Sequence, residues 1–481
     1  MPGRFLRVIR PLAKFMPEVK PPGRKISFGE KLFWTGIVLI IYLVMSEVPL
    51  YGIPGAREAM DPLRYLRVIF ASNRGTLMEL GIGPIVTAGL ILQLMAGSGM
   101  ISVDFSKTED RALFTSASKL FSIVMILFNA SAYLYGGAYG SIDFNTAVVI
   151  FLQLIAATMI LMLLDELVQK GWGIGSGISL FIVAGVAQKI WWDCFAPIPA
   201  SVTQAEDGFY YGALIAFFEA ILSGKPVLGW FHRPGQNPPP DMLGFLATII
   251  VFMIVTYIEG VRVELPISHA RFRGYRGRYP VKLLYISNVP VILASALFAN
   301  IYLFSQIIWN KFNRDNANFW LNLVGKYSET GQTPEPVWGL AYYVVPPRNL
   351  TTVINDPIRA IVYALLMIVF CVMFARVWIE VGGLGPRTVA KQLMDAGMQI
   401  PGFRRSYGPI ESVLERYIPT VTILGGLVVG TIAALADFLG AFGTGMGILL
   451  TIGIMWQYYQ LLAQERILDM YPAVSRIFGR K

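Results

Sequence analysis

PIRAIVYALLMIVFCVMFARVW, residues 357–378, is an apolar stretch in which the only charged residues are Arg359 and Arg376. A helix of about 20 apolar residues is long enough to cross the hydrocarbon core of a bilayer. Lipid offers no hydrogen-bond partner to backbone N–H and C=O groups, so a segment that crosses it must be helical. The stretch therefore predicts a transmembrane helix.

The same pattern recurs along the chain, which has 481 residues, of which 55% are hydrophobic and 15% are charged. Soluble domains are usually about 45–50% apolar and about 25% charged. We count ten apolar runs, at about 32–52, 74–96, 118–136, 146–164, 174–192, 241–258, 283–309, 357–379, 418–436 and 439–463. They predict an all-α polytopic membrane protein with ten transmembrane helices.

Basic residues predict the orientation of these helices. Eight Lys or Arg residues stand against two Glu in the tail 1–31, and basic segments favour the cytosolic side of a membrane. Counting from a cytosolic N-terminus gives the following regions: an N-terminal half 32–192, a lumenal loop 193–240, a C-terminal half 241–463 with basic cytosolic loops 259–282 and 380–417, and a cytosolic tail 464–481. The second long loop on the lumenal side, 310–356, is nearly balanced in charge.

Several kinds of chemistry are excluded by the residue inventory. The chain has two cysteines and two histidines, Cys194, Cys371, His232 and His269, which is too few for a metal site of the usual spacing. It has neither an HExxH nor a GxxxxGK[ST] motif, which excludes a zinc protease of that kind and a P-loop ATPase. No nucleophile stands with a base, so we expect neither an enzyme nor a cofactor.

Alternating glycines mark two places in the chain. GWGIGSGISLF, residues 171–181, opens the fifth run, and GAFGTGMGILL, residues 440–450, opens the tenth. A dinucleotide site would need G-x-G-x-x-G after a strand, whereas small residues at membrane helices allow close helix packing. Gly-rich interruptions at corresponding places in two halves indicate an inverted repeat with function at its interface. The glycines therefore predict two pseudo-symmetric five-helix halves.

Longer blocks of the sequence resemble a known family. ASNRGTLMELGIGPIVTAGLILQLMAG (71–97), LLDELVQKGWGIGSGISLF (163–181), RFRGYRGRYPVKLLYISNVPVILASAL (271–297), RYIPT (416–420) and ADFLGA (436–441) are similar to the alpha subunits of eukaryotic protein-conducting channels, in the SecY family. The resemblance is weakest in the loops 193–240 and 310–356. It implies two five-helix halves around a central hourglass pore, a plug on the lumenal side and a lateral gate that opens to lipid.

The resemblance also implies a ring of aliphatic side chains at the narrowest part of the pore. Spacing alone places the first two of them on one face of their helix, and the next two likewise, because each pair is four residues apart. The positions that match the ring are Ile82, Val86, Ile178, Ile182, Ile292 and Leu450. Such a ring dewets and so blocks ions. From the spacing alone, a lipid-facing or core role is the simpler interpretation of these residues.

The plug that the resemblance implies is the segment at about 60–73, MDPLRYLRVIFASN, which includes Leu63, Arg67 and Ile69. Its composition fits an interfacial helix equally well. Glu79 follows near the start of the second run. A membrane carboxylate is a functional candidate by default, but its position favours an interfacial residue near the lumenal end.

The lateral gate is expected to carry polar side chains. Thr87, Asn129 and Asn300 lie in the second, third and seventh runs and match the polar cluster that crosses the gate in the family. The family usually has glutamine where this chain has Asn129. Hydrogen bonds between membrane helices average about 0.6 kcal/mol, which is weak enough for an apolar signal sequence to compete with. Ordinary packing contacts between helices are the alternative.

Arg271, Arg273 and Arg404 match family positions that contact the ribosome. Guanidinium groups suit RNA phosphates because they bind them with two hydrogen bonds. The positive-inside bias explains most of this charge by itself. The resemblance favours a ribosome contact at these arginines.

Taken together, the resemblance implies the pore-forming subunit of a channel for signal-bearing polypeptides, in the endoplasmic reticulum membrane with both termini cytosolic. The expected partners are two small membrane subunits (beta and gamma) in a heterotrimer, the ribosome and its RNA, signal peptides and nascent chains, a lumenal chaperone and other accessory complexes. The alternative is a secondary transporter, which should place charges or unwound backbone at the midplane. The runs offer little there besides small and aliphatic residues.

Overall fold

The computed structural model describes residues 9, 11, 16–24, 26–53, 67, 70–101, 103, 108–135, 139, 142–199, 208–224, 231–233, 239–269, 276–285, 289–328, 335–347, 349–395, 397–399 and 407–470. The first five long helices are α1 (Phe28–Glu47), α2 (Gly83–Gly97), α3 (Thr108–Tyr135), α4 (Phe144–Leu167, continued by one π turn, Val168–Trp172) and α5 (Gly177–Phe195). They correspond to the first five apolar runs.

The remaining elements are, in chain order, α6 (Ala213–Leu222), α7 (Met242–Gly260), β1 (Arg262–His269), β2 (Arg276–Lys282), α8 (Val289–Phe312), α9 (Phe319–Val324), β3 (Lys326–Ser328), β4 (Glu335–Trp338), α10 (Leu340–Val344), α11 (Leu350–Asn355), α12 (Pro357–Val381), α13 (Pro386–Asp395), β5 (Met398–Gln399), α14 (Tyr407–Phe438) and α15 (Gly445–Met470). The sixth to tenth apolar runs are α7, α8, α12, α14 and α15.

Side-chain caps fix where several long helices begin. At the start of α1, Ser27 Oγ accepts a hydrogen bond from Glu30 N at 3.3 Å, and Glu30 Oε2 accepts one from Ser27 N. Asp143 caps α4 and Asp241 caps α7 in the same way. Such caps satisfy backbone N–H groups that have no partner inside the helix.

Nine helices in the described part of the chain are long and apolar enough to cross a membrane. The second apolar run, at about 74–96, forms the shorter helix α2, of 15 residues, which begins at Gly83 rather than near residue 74. The preceding residues form turns, in which Gly75 and Gly81 have positive φ values of 69° and 54°. Glycine adopts this conformation without the steric cost of a side chain, so the local sequence delays the helix.

The two halves meet along two seams. At the first, α5 and α1 pack against α15, and we call this the α5–α15 seam. At the second, α2 packs against α8 and α12, and α3 reaches α8 through a ring contact. We call this the α2–α8 seam. Within the halves, the closest neighbours include α2 with α3 and α12 with α14.

Two small sheets mark the two ends of the bundle. The antiparallel hairpin β1–β2 pairs Arg262 with Lys282 and joins α7 to α8, and β5 adds to its edge. The pair β3–β4 lies between α8 and α12. Segments predicted only as loops, 259–282 and 310–356, therefore contain ordered structure. We call the two ends the hairpin end and the opposite end.

Candidate functional site

The six residues predicted to form the pore ring lie in one hydrophobic cluster at the centre of the bundle. Ile82, Ile182 and Leu450 are buried members of this cluster, and the other three, Val86, Ile178 and Ile292, are half-buried and pack against it. They come from α2, α5, α8 and α15, so both halves contribute. Ile82 immediately precedes α2, and its carbonyl oxygen accepts the hydrogen bond from Val86 N at 3.0 Å.

The Gly-rich stretches bring the helices at this centre close together, as their composition predicts. A Cβ atom on Gly177 would lie 2.6 Å from Asp165 Cα of α4. A Cβ atom on Gly445 would lie 2.3 Å from Ala433 O of α14. Since no side chain fits at either distance, the starts of α5 and α15 can be occupied only by glycine. The prediction of close packing is confirmed.

An aspartate from the preceding long helix caps each of these two helix starts. Asp165 Oδ1 accepts a hydrogen bond from Ile178 N at 2.9 Å, and Asp437 Oδ1 accepts one from Gly445 N at 2.8 Å. Carboxylates stabilise helix N-termini because unpaired N–H groups and the helix dipole meet there. The same device in both halves fits the predicted repeat. Sequence reasoning missed both residues, although an aspartate at the end of an apolar run, just before alternating glycines, is a usable signal.

Of the three residues singled out in the predicted plug, Arg67 is described, and Leu63 and Ile69 lie outside the described residues. Arg67 is buried and its Nη2 atom lies 2.7 Å from Glu79 Oε1, while its Nη1 atom donates to Glu79 O at 3.2 Å. Glu79 is only 2% exposed. The carboxylate that sequence favoured as an interfacial residue therefore joins the predicted plug to the segment before α2.

A tyrosine lies close to this ion pair. Burial raises the pKa of the Tyr139 phenol well above its usual range, and the negative charge of Glu79 raises it further. The phenol therefore stays protonated beside the carboxylate. On the other side, Gly75 N donates a hydrogen bond to Glu79 Oε2 at 2.5 Å. Glu79 is thus held from both the loop before α2 and the Arg67 side chain.

The three polar residues predicted at the lateral gate lie on the expected helices but do not bond to one another within the described part of the chain. Thr87, Asn129 and Asn300 are all half-buried. Asn300 Nδ2 donates to Ala296 O of its own helix at 2.8 Å. The structure thus places these residues at or beside the α2–α8 seam without the predicted cluster of hydrogen bonds, because the amide of Asn300 is satisfied one turn back along α8.

The arginines predicted to bind the ribosome, Arg271, Arg273 and Arg404, lie outside the described residues. In the described part of the hairpin on either side of Arg271 and Arg273, the charged residues Glu264 and Arg278 are exposed, whereas Leu265 and Val281 are buried. Arg278 Nη1 lies 2.6 Å from Glu264 Oε2, and this hydrogen bond holds the pKa of the Glu264 carboxyl below its usual range.

The described residues contain no group of three or more His, Cys, Asp or Glu side chains that could hold a metal ion. Both cysteines, Cys194 and Cys371, are buried and unbridged. The centre of the bundle, where the six aliphatic side chains meet, offers apolar surface and close helix contacts.

Comparison with known proteins identifies the architecture. The family model described as SecY matches residues 76–459, and the model described as the plug domain of Sec61p matches residues 40–75. The chain is 44% identical over 480 residues to the protein translocase subunit SecY of Pyrococcus horikoshii, covering 98% of each chain. It is 44% identical over 472 residues to the protein transport protein Sec61 subunit alpha of Dictyostelium discoideum, covering 96% of this chain and 97% of the relative.

A solved structure agrees with these relatives. Sec61 in the canine ribosome-channel complex from the endoplasmic reticulum superposes with a TM-score of 0.78 at 40% identity, over 97% of this chain and 99% of that one. These matches are to translocases and channels, not to a known enzyme family, and the secondary-transporter alternative finds no support in them. The chain belongs to the SecY/Sec61 alpha family, and it is a membrane-spanning subunit of a protein-conducting channel.

Proposed function

We propose that this chain forms the pore through which signal-bearing polypeptides cross the endoplasmic reticulum membrane, and that it releases apolar segments sideways into lipid. The observation that carries this proposal is the meeting of six aliphatic side chains from α2, α5, α8 and α15 in one central cluster. A constriction of such side chains excludes water and ions. It also forms no strong hydrogen bond with a passing chain, so polypeptides of varied sequence can slide through.

The segment that contains Arg67 acts as the plug. Its ion pair with Glu79 is buried, with a distance of 2.7 Å. Removing one partner of a buried pair leaves an uncompensated charge and costs about 3–5 kcal/mol. Displacement of the plug must therefore hydrate both charges or provide new partners for them. A wet, open pore supplies that hydration, which couples plug release to opening.

The α2–α8 seam acts as the lateral gate, and the hairpin end faces the cytosol. In this orientation the arginines at 271, 273 and 404 meet ribosomal RNA, both termini are cytosolic, and the segments 193–240 and 310–356 lie at the lumenal end of the bundle. Sec61 in the canine complex is a channel bound to a ribosome, which supports this assignment. The sequence contains no P-loop motif for ATP hydrolysis, so the ribosome or a lumenal chaperone drives translocation. Two small membrane subunits complete the heterotrimer.

The ring is tested by ion conductance. Replacing Ile178 and Ile292 together by glycine removes aliphatic surface from the constriction, so purified channel in a planar bilayer should leak ions at rest. The matched control is Leu152→Gly with Ile160→Gly, because both residues are exposed on the outer face of α4. It carries the same helix-destabilising substitutions away from the pore. Equal leak in the two double variants, or none in either, would remove the ring from this proposal.

Ribosome docking is tested by charge reversal. Arg273→Glu with Arg404→Glu should weaken binding to empty ribosomes, and the dependence of binding on salt should become shallower by about two units of slope, one for each lost phosphate contact. Pore conductance should not change. Lys326→Glu, on β3 at the opposite end, is the control and should bind as the wild type does. Normal binding of the double reversal across a salt titration would mean that these arginines serve topology alone.

A further inference from the structure

The connector between the two halves contains a short helix that hydropathy counting had assigned to a loop. This helix, α6, reads ALIAFFEAIL, and Glu219 is its only polar residue. Ten residues of helix are about 15 Å long, whereas the hydrocarbon core is about 30 Å thick. The helix is too short to span the membrane, yet it is as apolar as the segments that do.

The inner face of α6 consists of small residues packed against the bundle. Ala213, Ala216 and Ala220 are buried, and α6 contacts both α5 and α7. At its start, Gly212 N donates to Ala196 O at 3.0 Å, and a Cβ atom on Gly212 would lie only 2.7 Å from Ala196 N. Small residues allow such close approach between membrane helices. The helix is therefore docked on the last span of one half and the first span of the other.

The level of α6 along the bundle follows from these contacts. Ala213 shares a cluster with Cys194 of α5, and Ile190 and Phe245 pack against the same cluster. Ile190 precedes the end of α5 by five residues, and Phe245 follows the start of α7 by three. The first turn of α6 thus lies beside turns of the two spanning helices and not beyond their ends. This is the opposite end of the bundle, since α7 runs from here to the hairpin.

The outer face of α6 is apolar and open. Phe218 is 62% exposed and Leu222 is 88% exposed, and Ile221 is exposed between them. The one charged side chain does not interrupt this face, because Glu219 Oε2 accepts a hydrogen bond from Tyr210 N at 3.2 Å. On α5, the helix that α6 packs against, Trp191 is also exposed, and tryptophan is enriched where membrane meets water.

We propose that α6 is embedded in the membrane, with Phe218, Ile221 and Leu222 among the acyl chains of the leaflet at the opposite end. A lipid surface fits better than water because large apolar patches on a ten-residue element are otherwise unstable in solution. The connector that joins the two halves is then anchored in lipid. The inference requires only that the chain spans the membrane, so it does not depend on the ring or the ribosome contact.

The test is depth-dependent quenching at single cysteines. The two native cysteines are buried, so Phe218→Cys and Leu222→Cys can each be labelled with an environment-sensitive fluorophore, and the chain then reconstituted in phosphatidylcholine vesicles. Lipids brominated on the acyl chains should quench both labels, and a membrane-impermeant maleimide should modify the unlabelled cysteines many-fold more slowly than Lys326→Cys at the same end. The proposal would be overturned if the brominated lipids failed to quench the labels and the unlabelled cysteines reacted with the maleimide as fast as Lys326→Cys does.

A protein partner is the other possible cover for this face. A photo-crosslinking amino acid at position 222 should capture phospholipid, both in native membranes and in vesicles that contain the purified chain alone. Capture of a small membrane protein in native membranes, with rapid maleimide modification in the vesicles, would overturn the lipid assignment in favour of a subunit interface. Leu222 is the better position for this probe because its side chain has the least contact with the rest of the fold.

Discussion

The two seams between the halves are held by different kinds of contact. At the α5–α15 seam, the Tyr458 hydroxyl of α15 reaches into the loop before α5. It accepts a hydrogen bond from Ser176 N at 3.0 Å and lies within donating distance of Ser176 O, at 2.8 Å, and of Ile174 O, at 3.1 Å. One side chain thus binds three backbone groups that are more than 280 positions away in sequence.

At the α2–α8 seam the contacts are apolar and aromatic. The rings of Phe128 and Phe304 lie 6.4 Å apart, and the Lys311 ammonium sits 4.1 Å from the centre of the Tyr135 ring. Asn300, the polar residue predicted to cross this seam, donates to its own helix instead.

The kind of contact at each seam determines how easily that seam can open. Leaving a buried backbone donor or acceptor without a partner costs about 1–3 kcal/mol, whereas an apolar contact between helices can be exchanged for lipid at little cost. We therefore expect the α5–α15 seam to be the fixed side and the α2–α8 seam to be the side that separates. This assignment supports the lateral gate on physical grounds that are independent of the family.

The largest effect is expected from Gly175→Ala at the fixed seam. Gly175 has a φ of +77°, and a Cβ atom there would lie 2.6 Å from the Tyr458 hydroxyl. Strain of about 1–2 kcal/mol for an L-residue in this conformation adds to about 1–3 kcal/mol for the displaced hydrogen bonds. The Tm of the purified chain in detergent should fall clearly.

Gly171→Ala is the matched control for that variant. Gly171 also has a positive φ, +98°, but an added Cβ atom would meet open space. It should show the backbone cost alone and so a smaller fall in Tm. Equal Tm values for the two variants would mean that the contact with Tyr458 does not hold the seam.

Tyr458→Phe is expected to have the next largest effect. It removes only the hydroxyl and leaves Ser176 N without its partner, which should cost about 1–3 kcal/mol of stability. Its neighbour Tyr459 is exposed, so Tyr459→Phe should leave the Tm unchanged. Combined with Gly175→Ala, the two losses should be less than additive, because both act on the same hydroxyl. Full additivity would contradict the shared mechanism.

At the α2–α8 seam, Phe304→Ala should make translocation easier. Loss of the ring contact with Phe128 removes about 0.5–1.5 kcal/mol from the closed state, so signals with short apolar cores should translocate better. The measurement is translocation of a series of signals graded in leucine content. Phe312→Ala, at an exposed position on the same helix, should not change the leucine content that a signal needs for translocation. If the Phe304→Ala channel required signals of higher leucine content than the wild type does, the assignment of the gate to this seam would be contradicted.

The smallest effect is expected from Asn300→Leu. The bond to Ala296 O is within α8, so no bond between helices is lost, and leucine packs with the surrounding apolar side chains. The closed state should gain no more than about 0.6 kcal/mol, the usual size of a hydrogen bond in such helices. Signals with short cores should then fail first, while Asn300→Gln, which keeps the amide, should behave as the wild type. An equal effect on all signals, or none on the weakest, would leave Asn300 with a packing role.

Most of the helical architecture could be predicted from the sequence. Long apolar runs define spans because the bilayer thickness sets a minimum helix length, and all ten runs are helical over most of their length. The alternating glycines before Gly177 and Gly445 marked the two helix starts at the centre. The delayed start of α2 and the helix inside the connector were missed, since a hydropathy window averages over turns and over short apolar segments.

The composition of the spans and the two glycine-marked halves can be read from the amino-acid sequence, and family resemblance adds the residues that meet at the centre. These are local properties, which a run of apolar residues or the spacing between residues is enough to indicate. The pairing of Glu79 with Arg67, the capping of the central helices by Asp165 and Asp437, and the contact of Tyr458 across one seam become visible only in the folded chain. Hydrogen bonds need atoms within about 3 Å, and which distant residues come that close depends on how the helices pack.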